Sequence, residues 1–412
     1  MITNEDIYAY IFKHQGLGER SAIKLCRIAG SFENIINTDF ETILLDRLLG
    51  GGQDDADLEH VNLNRLKIII DKIIKDEDRL IDEARIFFSN LLARKIEWTH
   101  LTASDYPKRL LNIPDPPLML FYKGRLPKEN ELSLAIVGAR ECSSYGEKVA
   151  GMFSKELSVE GVQIISGMAR GIDGIAQRSA VDVSGSTFGV LGCGVDVVYP
   201  KENADIFEKI LDKGGLISEF EPGTQPLRRF FPSRNRVISG LSDAVLVVEA
   251  RKRSGTYITV TQALEQGREV YAVPGRITDA LSDGCNNLIA SGAGIAVSPE
   301  DVLRELRNTS VFRPIYDSYR SECREYYEEI SQMIDDCDYE ETDPDETENK
   351  EENSVKDMII SFIKQNDLSA DAIYSRLEGR YDFEDVLLSL IELETEKRIR
   401  KTGSRYGIVQ NH

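Results

Sequence analysis

Leu134-Ala135-Ile136-Val137-Gly138-Ala139-Arg140-Glu141-Cys142-Ser143-Ser144-Tyr145-Gly146 is the stretch from which the fold is read. Four apolar residues that stop at glycine are too few for a helix and suit a strand buried on both faces, and the serine turn after them suits the start of a helix. The pattern recurs downstream. Short apolar strands are expected at 134–137, 162–165, 187–191, 244–248 and 269–273, each ending at glycine, serine, proline or charge, with helical stretches between. That order predicts an α/β fold, a Rossmann-like doubly wound parallel sheet with helices on both faces, over roughly 132–303.

On the N-terminal side the period changes. Apolar residues such as Leu66, Ile69, Ile70, Ile73 and Ile74 recur at helical spacing, no strand alternation is evident up to His100, and 1–105 is expected to be a small helical domain. Within it, Gly16-Leu17-Gly18 before an amphipathic stretch resembles a helix-hairpin-helix or SAM-like phosphate turn, and equally suits an ordinary turn between packed helices. Residues 106–131 then carry Pro107, Pro114, Pro116 and Pro117, which exclude a continuous helix and read as a strap onto the sheet domain, taken as 106–310. Residues 311–353 are expected to be a linker. Beyond it, 354–412 reads as three short helices and a hairpin turning at Gly403, the order of a winged helix.

The net charge of −20 argues against a polyanionic partner until it is mapped. Between Asp335 and Glu352, eleven acids face the single Lys350, so eighteen residues hold half of the total and the sheet domain is judged separately. No apolar run is long enough to cross a bilayer and the first residues lack the basic and apolar character of a signal peptide, so the cytoplasm is the expected compartment. Cys26, Cys142, Cys193, Cys285, Cys323 and Cys337 include no C-x-x-C pair and the four histidines lie far from them in sequence, so no metal site is expected.

A doubly wound sheet binds its ligands beyond the carboxyl ends of the strands. There the chain places Gly138-Ala139-Arg140, then Ser166-Gly167-Met168-Ala169-Arg170-Gly171-Ile172-Asp173, then Gly192-Cys193-Gly194. Glycines permit close backbone approach, helix N-termini present amides, and arginines add charged forks for phosphate oxygens. Arg228-Arg229-Phe230-Phe231-Pro232-Ser233-Arg234-Asn235-Arg236 interleaves four arginines with two aromatics, which answers both needs of unpaired nucleic acid, base stacking and phosphate neutralisation. Arg251-Lys252-Arg253-Ser254-Gly255-Thr256 puts a basic triplet and another helix start on the same edge. Each glycine taken singly also suits a tight strand-to-helix turn, and either phenylalanine also suits a core.

Ile136-Val137-Gly138-Ala139-Arg140, Ser166 through Asp173, Phe231-Pro232-Ser233-Arg234-Asn235-Arg236-Val237-Ile238-Ser239-Gly240-Leu241-Ser242 and Ala263-Leu264-Glu265-Gln266-Gly267-Arg268-Glu269-Val270 resemble the DprA/Smf family, the DNA processing protein A group of natural transformation. The likeness extends to Tyr199-Pro200, Val273-Pro274-Gly275, the Asp115-Pro116-Pro117 strap and both flanking domains, so it is expected to cover nearly the whole chain. It implies a non-catalytic mediator, without cofactor, that binds and protects incoming single-stranded DNA, loads the RecA recombinase and forms a homodimer through the Rossmann-like domain. The candidate DNA-binding residues are Gly138, Arg140, Ser166, Gly167, Arg170, Gly171, Arg228, Phe231, Arg234, Asn235, Arg253, Ser254 and Gly255, with Arg140 on phosphate and Phe231 on a base. One departure is Gln177, where many relatives have histidine.

Two rivals carry different chemistry. A phosphoribohydrolase on a related fold needs a Pro-Gly-Gly-x-Gly-Thr loop, and this chain has only Ser254-Gly255-Thr256; it also lacks a P-loop, and Gly138-Ala139-Arg140-Glu141-Cys142-Ser143 does not supply the G-x-G-x-x-G of a dinucleotide site. A regulator acting through the winged helix would use Lys397, Arg398, Arg400, Lys401 and Arg405 on duplex phosphates.

Overall fold

The computed structural model describes residues 2–15, 19–37 and 63–312, together with 359–360, 362, 368–369, 373, 390, 393, 399–402 and 405–408. The chain divides into two compact units, Met1–Tyr339 and Glu340–His412. The Gly16–Gly18 turn, the acidic linker and most of the three C-terminal helices expected from the sequence lie outside the described residues.

In the first unit the helices are α1 (Asn4–His14), α2 (Glu19–Ala29), α3 (Phe32–Asn37), α4 (Leu63–Lys75), α5 (Glu77–Ala93), α6 (Lys108–Leu111), α7 (Ser144–Val159), α8 (Ile172–Asp182), α9 (Ala204–Lys209), α10 (Phe230–Gly240), α11 (Thr256–Glu265), α12 (Asp283–Ala290) and α13 (Pro299–Phe312). The strands are β1 (Glu97–His100), β2 (Met119–Gly124), β3 (Ser133–Val137), β4 (Gln163–Ser166), β5 (Thr187–Val190), β6 (Gly215–Ser218), β7 (Ala244–Val247), β8 (Glu269–Ala272) and β9 (Gly294–Ile295). They form one sheet in the order β1-β2-β6-β5-β4-β3-β7-β8-β9. From β6 to β9 all neighbours are parallel, and β1 and β2 add an antiparallel end.

Both faces of the sheet are covered, which is why its strands read as unbroken apolar runs. Leu134 and Ile136 point to one face, packed with Phe153 and Leu157 of α7 and Ala176 of α8; Ala135 and Val137 point to the other, with Val237 and Ile238 of α10 and Val260 of α11. The chain winds outward from β3 through β4 and β5 to β6, then returns to lay β7 on the other side of β3. The crevice between the β3 and β7 loops is therefore the switch point of the fold.

One expectation is corrected here. The segment up to His100 is not wholly helical: Glu97–His100 pairs antiparallel with β2, so it belongs to the sheet. The proline-rich strap also contributes β2, which the sequence did not signal and which pairs with β6, Phe121 opposite Ser218. The helical segment shares a core with that end of the sheet, with Phe12, Phe88 and Leu91 packed among Met119, Phe121 and Leu191. Asp6 ties the two together: it closes the Thr3 capping box, accepts from the Trp98 indole at 2.7 Å and lies 3.5 Å from the His100 ring. Burial opposes its charge, yet hydrogen bonds from His100, Thr3 and Trp98 together hold its carboxyl far below the usual range.

The second unit contains β10 (Leu368–Ser369), β11 (Ile399–Thr402) and β12 (Arg405–Ile408) in the antiparallel order β10-β12-β11. β11 and β12 pair antiparallel, Lys401 opposite Tyr406, and the turn expected at Gly403 lies outside the described residues.

Candidate nucleic-acid interface

The switch crevice holds an acid. Glu249, just after β7, is 2% exposed and points its carboxylate at the start of α7. The Ser143 amide donates to it at 2.9 Å, the Ser143 hydroxyl donates to its other oxygen, and that hydroxyl also accepts from the Gly146 amide at 3.1 Å as the helix N-cap. The positive end of a sixteen-residue helix thus already has its anion. Gly146 is glycine because any Cβ would overlap the Glu249 carboxylate, and Gly138 because a Cβ would meet the Glu249 carbonyl at 2.8 Å.

The β4 loop is filled in a similar way. The Gly167 amide donates to Asp173 at 3.0 Å, and a Cβ on Gly167 would lie 2.7 Å from that carboxylate. Gly171 has a φ of 69° and sits so close to the β3 loop that a Cβ would lie 2.6 Å from the Arg140 carbonyl carbon. Arg234 reaches into the same space from α10, donating to the Gly167 and Val190 carbonyls. Burial pushes its guanidinium down to about 10, still charged at neutral pH, and burial pushes Asp173 up although Arg234 pulls the other way. Gln177 bridges the Met168 amide at 3.1 Å and the Phe188 carbonyl at 3.1 Å, so the residue that departs from many relatives has a structural post in the interior.

These contacts change the reading of several candidates. Ser166 is fully buried with its hydroxyl on the Ile136 carbonyl at 2.6 Å, Gly167 is buried, and Arg234 is 5% exposed with its Nε and Nη1 donors in use; none presents a side chain at the surface. At the start of α8 the Ile172 amide donates to Ala139 at 3.2 Å and the Gly174 amide to Ala169 at 3.0 Å, so these two amides are in use within the fold. The glycines serve the packing of three loops against one another.

What the edge does present is a ring among cations. Arg140 is exposed, and its guanidinium lies 5.8 Å from the centroid of Phe231; Arg234 lies 5.7 Å from the same ring. Tyr199 stands 5.8 Å from Phe231, ring to ring, and is 37% exposed. Phe231 rests against Gly192, where a Cβ would come within 3.0 Å of the ring, which explains that glycine. Arg228 and Arg229 are exposed just before α10, and Arg229 lies 5.2 Å over Phe230, itself paired with Phe220 at 4.3 Å. Arg170 is half-buried, 3.9 Å from Glu202. Asn235 accepts from Arg234 at 3.1 Å. Arg253 is exposed beyond β7, with Ser254 and Gly255 partly covered at the start of α11. The structure therefore brings Arg140, Arg234, Asn235 and Phe231 together and sets Arg253 apart on the far side of the switch point. Sequence reasoning missed Glu249 and Asp173 as internal anions and Tyr199 as the second ring; Tyr199 was signalled by the Tyr199-Pro200 resemblance and by its place in the loop after β5.

The model of the DNA recombination-mediator protein A family matches residues 97–307, which begins at β1 and ends in α13. DNA processing protein DprA of Streptococcus pneumoniae is 45% identical over 204 residues, 48% of this chain and 71% of that protein. Protein Smf of Escherichia coli is 45% identical over 212 residues, 50% of this chain and 57% of its own length. The X-ray structure of the Streptococcus pneumoniae protein superposes with a TM-score of 0.58 at 35% identity, covering 74% of this chain and 98% of the other. In sequence, then, the likeness spans about half of the chain and not nearly all of it.

Proposed function

The chain belongs to the DNA recombination-mediator protein A family, and from that premise we propose that it binds single-stranded DNA along the carboxyl edge of the sheet, without cutting or joining it. The observation that carries this reading is the Phe231 ring, partly exposed beside Tyr199, with the open Arg140 guanidinium 5.8 Å away. An unpaired base stacks on such a ring while its phosphate meets the arginine; a duplex hides its base faces. Arg140, Arg170, Arg228 and Arg253 are the phosphate contacts, Phe231 is the stacking residue, and Gly138, Gly171, Asn235, Ser254 and Gly255 shape the loops around them. Ser166, Gly167 and Arg234 act from beneath, by holding the β4 loop against α10.

The two acids inside these loops, Asp173 and Glu249, are buried and committed to hydrogen bonds within the fold, which supports a structural role for them over a hydrolytic one. Family membership supports the further steps, protection of incoming DNA and loading of RecA in transformation and recombination. The homodimer is assigned to the sheet domain, where the β9 end leaves Ile295 and Val297 exposed beside an unpaired edge. Work on incoming DNA assigns the protein to the cytoplasm; separately, no helix among the described residues is long and apolar enough to cross a membrane.

Band shifts on oligo-dT and on a duplex of equal length test the reading: tight binding of the single strand, lost in a Phe231→Ala, Arg140→Ala double variant, is expected. A preference for duplex would transfer the function to the C-terminal unit. Incubation with nucleoside monophosphates should leave them intact, and release of free base that disappears in Arg140→Ala would make the protein a hydrolase.

A further inference from the structure

Arg251, Lys252, Arg253 and Arg276 stand exposed on adjacent loops, the first three after β7 and the last after β8. The two loops are packed together, the Ala250 amide donating to Leu281 at 2.9 Å and the Gly284 amide to Ala250 at 2.8 Å. Among the described residues none of the four side chains has a hydrogen-bond or ion-pair partner. Elsewhere on this acidic surface arginines are matched, Arg79 with Glu83 at 2.6 Å and Arg178 with Asp205 at 2.8 Å. A cluster of unmatched cations on a chain of net charge −20 costs mutual repulsion and attracts a polyanion. The neighbouring Ile277 is 90% exposed.

The cluster is continuous with the site already described. Helices α10 and α11 lie side by side in parallel, Gln262 donating to the Pro232 carbonyl at 3.1 Å and Gln266 to the Arg236 carbonyl at 2.9 Å. The start of α11 and the basic loop before it therefore stand at the same end of the pair as Arg228 and Arg229. Yet the two loops bring no aromatic residue of their own; the ring bordering them is Tyr145, whose hydroxyl donates to the Pro274 carbonyl at 3.0 Å.

We propose that Arg251, Lys252 and Arg276, joined to the site at Arg253, form a cationic arm that carries the backbone of a single strand beyond the Phe231 platform, so that the footprint has a stacked half and a phosphate-held half. This rests on the single-strand reading above and adds a length to it. A strand short enough to occupy the platform alone leaves the arm empty.

The test is a ladder of oligo-dT from about 4 to 16 nucleotides, the range a single-strand fold covers. It compares the parent with the triple variant Arg251→Ala, Lys252→Ala, Arg276→Ala. A second triple variant, Arg79→Ala, Arg178→Ala, Arg304→Ala, removes the same charge elsewhere. Unchanged binding of the shortest rungs is expected, with weaker binding of the longest and a salt slope there shallower by about 2, at roughly 0.7 for each phosphate no longer neutralised. Equal weakening at every length, a weakening reproduced by the distant variant, or unchanged binding at every length overturns the arm. In the last case a parent that still binds the short rungs leaves the Phe231 site standing. A parent that binds no rung overturns the single-strand reading, and the arm falls with it.

Discussion

The two edges of the sheet use arginine in opposite ways. At the amino edge Arg109, from the strap, is 5% exposed; it donates to Asp243 at 3.1 and 3.2 Å and to the Lys128 and Glu131 carbonyls at 3.1 and 2.7 Å. Asp243 also accepts from the Ser133 amide at 2.8 Å, so one ion pair pins the strap to the starts of β3 and β7. At the carboxyl edge Arg140 and Arg253 reach into solvent, and Arg140 shares a ring with Arg234, which is itself buried. Burial and partners, not residue type, separate an arginine that builds the fold from one placed to receive a ligand.

The sharpest way to break that contrast is Asp243→Ala, which takes the hydrogen-bonded carboxylate from the buried Arg109 guanidinium and leaves it only the partly exposed Glu129, 3.7 Å away. Denaturant unfolding should show a loss of about 3–5 kcal/mol, while DNA affinity per folded molecule stays as in the parent. Phe231→Ala should do the reverse, costing about 1–3 kcal/mol in oligo-dT binding with the salt slope nearly unchanged and the unfolding midpoint close to the parent's. Arg140→Ala should weaken binding for every sequence and flatten the salt dependence by roughly 0.7, read by titration across salt concentrations.

The smallest effect belongs to a clasp between the helical segment and the loops after β5 and β6, where Arg94 meets Asp196 and His14 of α1 meets Glu221. Burial works against the His14 charge, but its hydrogen bond to Glu221 raises its pKa; burial likewise opposes Glu221, and His14 lowers it. The His14 contribution is therefore whole below about pH 6.5 and lost as pH rises through the raised value, and the Glu221 contribution is whole above about 4.3 and lost as pH falls through the lowered one. After solvent screening of these partly exposed groups, a maximum on the order of 0.5 kcal/mol between those limits is expected. His14→Gln should flatten it in a melting series across pH.

The central strands were legible because each is buried on both faces and stops at a turn residue, so β3, β7 and β8 fall within a residue of their expected bounds. β1, β2, β6 and β9 were not. β6 is four residues starting at Gly215, β9 is two residues, and β2 lies inside a proline-rich stretch; each is a strand because of the neighbour it pairs with. The candidate site divides in the same manner. The exposed arginines and Phe231 were visible as types in a loop, whereas the roles of Glu249 and Arg234 depend on partners 106 and 67 residues away in the chain. Arg234 was legible only as one more arginine in a basic segment, and nothing in that segment signalled the loop it would enter.

The carboxylate of Glu249 at the head of α7 has a consequence for competition among ligands. It is a tethered anion, present at an effective concentration on the order of mM or above, and it never diffuses away. A single free phosphate approaching those amides must displace it for the return of one contact. A polymer that touches Arg140, Arg228 and Arg253 at once has no need to displace it and adds each link to the last. On the proposed reading, small anions are thereby disfavoured at the centre of the edge relative to long ones that lie along its rim.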